Sequence, residues 1–394
     1  MKMAKLVQFI KWFKIMFVYY TNKNKNRNKK LWVFGAWGGN KYSDNTKYLY
    51  YYTSRNLKNI ESFWITKNKD IYLHLKNKNL KTALIGTDEC SVILKTAGVA
   101  FYTNSLEDFG TNNYLNGATI IALFHGVGFK KELREIKCNL IYKKLKNIIH
   151  YIYCPSYFDL CFTSSEFMKV KFEKQQYNTN GKKIFITGQP RNDYFYNALQ
   201  RQEKVNKNIL YMPTFRSDIE QQNKLDKIIS SMISSAQLNN LLEKNGYKLL
   251  IKTHFLTKVK TIQKENICIL NDDDVSDVQE LLYKCEVLIT DYSSVANDFS
   301  LLNRPVVFFP FDLEQNKNLM DDEYNNVLKD TYVKNLDELY ILLKKIIEEK
   351  VKYSNVNEII NNYFNDKNLK LGTFSKNICN VVFKKIEIEE KEIK

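Results

Sequence analysis

Short apolar runs alternate with longer polar or helix-forming segments along most of this chain, and this alternation constrains the possible folds more than any other feature. Strands that alternate with helices form parallel sheets, because a parallel pair needs a crossover that is usually a helix. A stretch rich in Lys, Asn and Gln, near 198–207, separates the runs into two sets. The predicted strands are Leu31–Phe34, Ser62–Ile65, Thr82–Ile85, Thr119–Phe124 and Lys183–Thr187 in the first set, and Asn208–Met212, Tyr247–Lys252, Ile267–Leu270, Val287–Ile289 and Pro305–Phe309 in the second.

The length of the chain and this division predict two domains. The chain has 394 residues, more than a single domain usually holds. The pattern predicts an α/β architecture with two domains that face each other across a cleft, the first at residues 31–200 and the second, with C-terminal helices, at 201–394. The seven cysteines show no metal-type spacing, which is typical of reduced core residues in a cytoplasmic protein.

The net charge and the N-terminal segment indicate an anionic partner. The formal net charge is +17, but it is spread through Lys- and Asn-rich segments and does not indicate a dedicated nucleic-acid groove. Residues 3–20 are apolar but include three lysines, too many for a spanning helix, and no signal-peptide cleavage site follows. With the basic run at 21–30, residues 1–30 predict an amphipathic helix on an anionic membrane surface. The alternative is an ordinary packing helix with a solvated linker.

A hydroxyl-rich loop follows the predicted strand Val287–Ile289. The loop contains Thr290, Asp291, Ser293 and Ser294, and a helical pattern begins directly after it. A strand, a polar turn and a helix in this order direct backbone N–H groups towards an anion. We therefore predict that the two serines bind a phosphate oxygen, the alternative being that they only cap the helix.

Two histidines each follow a predicted strand. His125 stands directly after Phe124, with Lys130 five residues on, and His254 follows Lys252. Ligands of open α/β sheets bind beyond the carboxyl ends of the strands. An imidazole there can accept a proton from a hydroxyl near neutral pH, while the lysines can offset phosphate charge. The alternative for each histidine is a capping or core residue.

Two arginines lie in turns after predicted strands. Thr214 and Arg216 are predicted to point towards one sheet edge, where Arg216 could bind a phosphate in bidentate fashion. Arg191 and Asp193 stand close together in a compact turn, and we predict that they form a structural pair that braces the junction between the domains.

The sequence contains no P-loop, no GxGxxG after a strand and no DxD motif. The run 272–274 is more typical of a helix start than of a metal site. No metal or cofactor is predicted.

Five of these segments, in this order, resemble the motifs of the CDP-glycerol:poly(glycerophosphate) glycerophosphotransferases of teichoic acid and capsule synthesis. The similarity extends from about Phe34 to Phe311 and includes Asp44-Asn45 and Asn303-Arg-Pro305. Two positions depart from the family pattern: Val127-Gly128 replaces Thr-Pro, and Phe255 replaces Pro. The motifs are His125-Gly-Val-Gly-Phe-Lys130, Thr187-Gly-Gln-Pro-Arg-Asn-Asp193, Met212-Pro-Thr-Phe-Arg216, Lys252-Thr-His-Phe255 and Leu288-Ile-Thr-Asp-Tyr-Ser-Ser294.

This resemblance implies a GT-B-like fold with two Rossmann-type domains, on the inner face of the cytoplasmic membrane. It implies attack of an acceptor hydroxyl on the β-phosphorus of a CDP-polyol, with CMP as the leaving group and no protein nucleophile. His125 would be the general base. His254, with Arg216 and the loop of Thr290, Ser293 and Ser294, would hold the CDP phosphates, and Asp291 would position that loop.

We therefore expect a polyol-phosphate transferase that uses CDP-glycerol or CDP-ribitol and acts on a lipid-linked or capsular saccharide acceptor. One alternative is a GT-B glycosyltransferase that uses a nucleotide sugar, since one fold serves many chemistries. Another is a non-enzymatic basic protein that binds a membrane surface or nucleic acid.

Overall fold

The structure is a computed structural model and describes most of the chain outside several segments. Within the described residues, contacts group the chain into two compact units. The first consists of the described parts of Met1–Gly126, Lys137–Asp193 and Asn368–Lys394, and the second of those of Tyr194–Lys367. The described residues are 10, 13, 17, 21, 26–110, 114–126, 158–175, 183–216, 218–253, 263–271, 274, 275, 277–316, 320, 322–328, 332–350 and 354–388.

The first unit is built on a parallel sheet of seven strands in the order β3-β2-β1-β4-β5-β6-β7. Its central strand, Ala97–Tyr102, is buried at every residue, so both faces are apolar, as in sheets covered on both sides. Phe34 and Phe101 stack at a centroid distance of 4.7 Å in this core. The strands are β1 (Asn28–Gly35), β2 (Glu61–Thr66), β3 (Thr82–Leu84), β4 (Ala97–Tyr102), β5 (Thr119–Ala122), β6 (Leu160–Thr163) and β7 (Ile184–Ile186).

The second unit has a six-stranded sheet in the order β10-β11-β9-β8-β12-β13. All neighbouring pairs in it are parallel except β10 with β11. The strands are β8 (Asn208–Met212), β9 (Lys248–Lys252), β10 (Gln263–Lys264), β11 (Ile267–Leu270), β12 (Val287–Thr290) and β13 (Val306–Phe308).

Helices follow most of the strands, as the alternation predicts. Several begin with a side-chain cap, for example Asn68, which accepts hydrogen bonds from two backbone N–H groups. In chain order the described helices are α1 (Asp44–Asn56), α2 (Lys69–Asn77), α3 (Asp88–Thr96), α4 (Glu166–Gln175), α5 (Asp193–Gln200), α6 (Ile219–Ser234), α7 (Ala236–Asn245), α8 (Val278–Tyr283), α9 (Val295–Ser300), α10 (Leu313–Asn316), α11 (Asp322–Leu328), α12 (Leu336–Glu348), α13 (Ser354–Phe364) and α14 (Phe374–Ile386).

The parallel α/β fold is confirmed, but the predicted domain boundaries differ from the units at both ends of the chain. We placed the whole tail in the second domain, whereas α14 packs on the first sheet, where Val382 and Phe383 join the same core cluster as Trp32. The predicted N-terminal segment extends to residue 30, but residues 28–30 are the start of β1. Arg27, just before this strand, donates to the backbone carbonyl of Ala97 at 2.8 Å.

No described helix has both the length and the low polarity that crossing a bilayer requires.

Candidate active site

The order of strands in the first sheet reverses between β1 and β4, and a buried aspartate joins the loops that follow these two strands. Asp108 is fully buried. Its carboxylate accepts from the backbone N–H of Gly38 at 2.7 Å, in the loop after β1, and from those of Thr103 and Asn104 at 2.9 Å, in the loop after β4. Burial raises the pKa of Asp108, although these hydrogen bonds act in the opposite direction. Ligands of such sheets bind at this reversal point.

His125 lies at the same edge, in the turn that follows β5, and its side chain is exposed. The turn is strained at Phe124, which has a φ of 47°, whereas Gly126 reaches its φ of 95° without a steric penalty because it lacks a Cβ. Asn45, which is fully buried, donates to the Phe124 carbonyl at 2.8 Å. The Arg191 guanidinium donates to the His125 carbonyl at 2.8 Å. These two side chains fix the backbone from which the imidazole projects.

Arg191 and Asp193 do not form the pair that the sequence predicted. Arg191 is bonded to Asp44 instead, at 2.9 Å, with both side chains about nine-tenths buried. Asp193 accepts from the backbone N–H groups of Phe374 and Ser375, at 3.0 and 2.8 Å, at the start of α14. Both residues are therefore structural, but they stabilise the first unit separately: Arg191 holds the His125 turn and Asp193 holds the C-terminal helix.

The second sheet also reverses its strand order, between β8 and β12, and Asp291 joins the two loops at this point. Asp291 is fully buried. Its carboxylate accepts from the Thr214 hydroxyl at 2.6 Å, the Thr214 N–H at 2.9 Å and the Tyr292 N–H at 2.6 Å. The Tyr324 hydroxyl donates to the Asp291 backbone carbonyl at 3.1 Å. Asp291 thus holds the hydroxyl-rich loop against the loop that follows β8.

Arg216 is not available to bind a phosphate, which corrects the prediction from the sequence. Its side chain is only 3% exposed and lies between two carboxylates. Its Nη2 donates to Asp291 at 2.8 Å, and its Nε donates to Asp312 at 2.6 Å. A further donor, Nη1, is bonded to the Thr214 carbonyl at 2.6 Å. Burial lowers the pKa of the guanidinium, but the two carboxylates more than reverse this, so it stays charged.

Asp312, which the sequence did not indicate, completes this cluster. It follows β13, and besides Arg216 it accepts from the Tyr292 hydroxyl at 2.9 Å. Burial, and then the Asp312 carboxylate, raise the pKa of Tyr292 well above its ordinary range, so the phenol remains a donor. The rings of Tyr292 and Phe311 each lie 5.1 Å from the guanidinium carbon of Arg216. The polar contacts of this cluster are made within the protein, and they join the loop after β12 to the loops after β8 and β13.

The remaining predicted residues of the two loops divide between side chains that are bonded within the protein and side chains that are partly exposed. The Thr290 hydroxyl donates to the Met212 carbonyl at 2.7 Å and is buried, so it ties β12 to β8 and does not face a ligand. Thr214 is occupied by Asp291 in the same way. Ser293 and Ser294 are partly exposed. The Ser294 hydroxyl makes no cap bond to α9, and the Ser293 hydroxyl accepts only a long bond of 3.4 Å from Val295.

Three further predicted residues bear on the site, of which the structure describes one. Lys252 ends β9, next to β8 in the sheet, and is 6% exposed, with its ammonium donating to the Thr253 carbonyl at 3.1 Å. His254 and Lys130 lie outside the described residues, so their roles stay predictions. Phe255 and Val127-Gly128 also lie outside them.

Within the described part of the chain, no three His, Cys, Asp or Glu side chains are grouped as metal ligands.

A cavity of about 520 Å³ lies beside Lys207, Tyr247 and Glu286, which precede strands of the second sheet. It is therefore at the amino end of the sheet, opposite the two loops. Its carboxylate at Glu286 is already bonded to the Tyr247 hydroxyl at 2.5 Å, so this cavity is not the candidate site.

The sequence missed residues whose role depends on distant partners. Asp108 and Asp312 belong to no motif that indicates backbone N–H groups or an arginine as their partners. Asn45 is part of a matched motif, but the motif does not indicate its partner. The one available signal is that Asp312 directly follows an apolar run that ends in a turn, a position from which a short polar side chain can hold backbone groups.

Comparison with known proteins identifies relatives along most of the chain. A teichoic acid glycerol-phosphate transferase of Staphylococcus aureus is 25% identical over 398 residues, which cover 93% of this chain and 97% of that protein. A teichoic acid poly(glycerol phosphate) polymerase of Staphylococcus epidermidis is 27% identical over 342 residues, which cover 79% of this chain. The alignment spans only 44% of that polymerase.

The fold also matches a solved structure. A structure of the wall teichoic acid polymerase TagF superposes with a TM-score of 0.71 at 22% identity, over 98% of this chain and 96% of that one. The family model described as CDP-Glycerol:Poly(glycerophosphate) glycerophosphotransferase matches residues 17–384. The resemblance seen in the motifs is therefore confirmed: this chain belongs to the CDP-glycerol:poly(glycerophosphate) glycerophosphotransferase family.

Proposed function

We propose that the protein transfers glycerol phosphate or ribitol phosphate from a CDP-polyol to a hydroxyl group of a lipid-linked or saccharide acceptor, in the synthesis of a teichoic-acid-like or capsular polymer. The acceptor oxygen attacks the β-phosphorus, and a new phosphorus–oxygen bond forms. The bond from the β-phosphorus to the oxygen that bridges it to the α-phosphorus breaks, and CMP leaves with that oxygen. His125 takes the proton of the acceptor hydroxyl, so the reaction needs no protein nucleophile.

The observation that carries this proposal is the family match, together with where the matched motifs lie. The His125 turn follows β5, and the loop of Ser293 and Ser294 follows β12, each at the carboxyl edge of its sheet. In each unit this is the edge at which open α/β sheets bind ligands. An exposed imidazole suits proton transfer, whereas two hydroxyls beside a closed ionic cluster suit a phosphate. We assign the acceptor to the first unit and the CDP-polyol to the second.

We further propose that the protein works on the anionic inner face of the cytoplasmic membrane. Three described residues of the N-terminal segment have exposed apolar side chains: Ile10 and Phe13 are each 59% exposed, and Phe17 is 61% exposed. Their spacing of three and four residues places them on one face of a helix. Such a face, next to the basic run at 21–30, is suited to anionic lipid headgroups.

Release of CMP tests the reaction. Purified protein is incubated with CDP-glycerol or CDP-ribitol and a membrane extract that supplies the acceptor, and CMP is measured. We expect release that requires the extract, identifies the donor and falls about a hundredfold or more, to a residual rate, in His125→Ala. A nucleoside diphosphate released from a nucleotide sugar, with no CMP from either donor, would instead support the glycosyltransferase alternative. We expect activity to persist in excess chelator, and complete loss that a divalent ion restores would contradict the metal-free mechanism.

The proposed role of the loop of Ser293 and Ser294 is tested by measuring the affinity for the donor CDP-glycerol. Ser293→Ala and Ser294→Ala each remove a hydroxyl that the described structure leaves largely unused, so the fold should be unaffected. If these hydroxyls bind the CDP phosphates, each substitution should weaken CDP-glycerol binding by about tenfold to a hundredfold, as loss of one hydrogen bond to a charged group does. Ser230→Ala, on the exposed side of α6, is the matched control. Unchanged calorimetric affinity in both loop variants would remove the loop from the donor site.

A further inference from the structure

Trp37 is the only described aromatic side chain in ring contact with His125. The centroids of the indole and the imidazole lie 5.4 Å apart, and their planes meet at 46°. Trp37 belongs to the loop after β1, and His125 to the turn after β5, so the contact joins two loops at the same edge of the first sheet. One part of the indole packs on the core of the first unit, which leaves the rest at the surface beside the imidazole.

The backbone around Trp37 is held in a conformation that a tryptophan rarely adopts. Its φ is 50°, and Gly38 and Gly39 follow with φ of 61° and 76°. A left-handed conformation costs about 1–2 kcal/mol for a residue with a Cβ, so the surrounding structure must enforce it. Asp108 binds the Gly38 N–H at 2.7 Å, and the Thr66 hydroxyl donates to the Gly39 carbonyl at 2.8 Å. Strain that is held in this way is concentrated at functional sites.

The imidazole of His125 has no hydrogen-bonding partner among the described residues, although its backbone carbonyl is bonded to Arg191. A catalytic base is usually oriented by a third group that bonds to its second nitrogen. Among the described residues, the group in contact with the imidazole ring is the tilted indole of Trp37. In this site the indole, held by the strained loop after β1, could therefore restrict the orientation of the imidazole, as a hydrogen-bonded carboxylate does for other catalytic histidines.

We propose that Trp37 is the positioning residue for His125, fixing the plane of the imidazole so that one nitrogen faces the acceptor hydroxyl. This inference rests on the proposed function, in which His125 is the base. In it Trp37 acts through His125 and takes no part in binding the CDP-polyol. Loss of the indole should lower kcat, whereas KM for the CDP-polyol should stay unchanged.

The kinetic test compares Trp37→Leu, Trp37→Phe and the control Tyr51→Leu, which removes an aromatic ring that is 51% exposed on α1. We expect kcat for CMP release to fall about tenfold in Trp37→Leu, since misorientation of a catalytic group costs one to two powers of ten. Phe should restore most of it, because its ring can cover the same imidazole face. In a His125→Ala background, Trp37→Leu should have no further effect, because a positioning residue acts only through its partner.

NMR of the histidine ring protons distinguishes a failure of this inference from a failure of the proposed function. The chain has four histidines, and the ring-proton resonances of His125 are identified by their loss in His125→Ala. The ring current of an aromatic side chain at position 37 should shift them in the wild type and in Trp37→Phe, and this shift should be lost in Trp37→Leu. Wild-type kcat in Trp37→Leu, or full additivity with His125→Ala, would overturn the inference while the transferase reaction stands. A folded wild-type protein that shows the shift but releases no CMP would overturn the reaction, and the catalytic role of Trp37 with it.

Discussion

Replacement of Arg216 distinguishes a residue that positions the loops from one that binds phosphate. Arg216→Lys keeps the charge but loses the planar fork that binds two carboxylates at once. Arg216→Met removes the charge and leaves Asp291 and Asp312 facing each other, with side chains 0% and 1% exposed. If Arg216 positions the loops, both substitutions should destabilise the fold in the absence of any ligand.

The size of the effect follows from the contacts. Removal of one member of a buried ion pair costs about 3–5 kcal/mol, and Arg216 serves two carboxylates at 2.6 and 2.8 Å. We therefore expect Arg216→Met to reach the upper end of that range, a large part of the roughly 5–15 kcal/mol that stabilises a typical folded protein. Arg216→Lys retains one strong contact and should lose about 1.5–3 kcal/mol, the worth of one hydrogen bond to a charged group. Asp312→Asn, which removes one charge and keeps the shape, should cost a similar amount.

The assay is urea unfolding of the ligand-free protein, followed by calorimetric binding of CDP-glycerol. Double-mutant cycles between Arg216→Lys and Asp312→Asn should give a coupling above about 0.5 kcal/mol, because the residues are in direct contact. If Arg216 does not contact the phosphates, these variants should lose affinity for CDP-glycerol only to the extent that the two loops become disordered. An unchanged unfolding midpoint in Arg216→Lys, together with a tenfold loss of CDP-glycerol affinity, would show that Arg216 contacts the phosphate and that the positioning argument is wrong.

Three further predictions concern the first unit. Asn45→Ala leaves the Phe124 carbonyl without its 2.8 Å donor, so it should cost about 1–3 kcal/mol in urea unfolding and lower CMP release; Asn56→Ala, an exposed change on the same helix, is the control. Gly98→Val places a Cβ within 2.4 Å of the Asn28 carbonyl oxygen, so β1 and β4 must separate and the melting temperature should fall, while an unchanged value would refute this close approach. Deletion of residues 1–25, which spares Arg27 and β1, should move the protein from the membrane to the supernatant on sedimentation, and unchanged sedimentation would exclude the N-terminal segment as the anchor.

Most of the strands could be predicted from the sequence, because an apolar run between turns has few other stable forms. Asn208–Met212 and Ile267–Leu270 match β8 and β11 residue for residue. The sequence does not predict β4, β6 or β10, and β10 is only two residues long. β4 follows α3 with no turn between them and begins Ala97-Gly98, whose small residues have low strand propensity. Gly98 is needed there, because β1 approaches too closely for any side chain.

The positions of the candidate site were also predictable, but the roles of individual side chains were not. His125 and the Ser293 loop do lie at the carboxyl edges of their sheets, since a polar motif after a buried strand has nowhere else to lie. Whether a polar side chain there faces a ligand or another loop depends on partners far along the chain. Arg216 was assigned to phosphate because Asp312, 96 residues away, was not known to be its partner. Arg191 was paired with its neighbour Asp193, although Asp44 lies closer in space.

The two units solve the same structural problem in the same way. Where the strand order reverses, two loops leave adjacent strands. These loops need a group that holds them together from the inside, because a ligand at this edge would occupy their outer surface. In each unit one fully buried aspartate, Asp108 or Asp291, accepts backbone N–H groups from both loops. Because this carboxylate is already bonded, we expect the proposed reaction to use other groups at these edges: His125, in the turn after β5 and beside Trp37, in the first unit, and the hydroxyls of Ser293 and Ser294 in the second. The acidic residues of such a motif are therefore better interpreted as loop anchors than as metal ligands or bases.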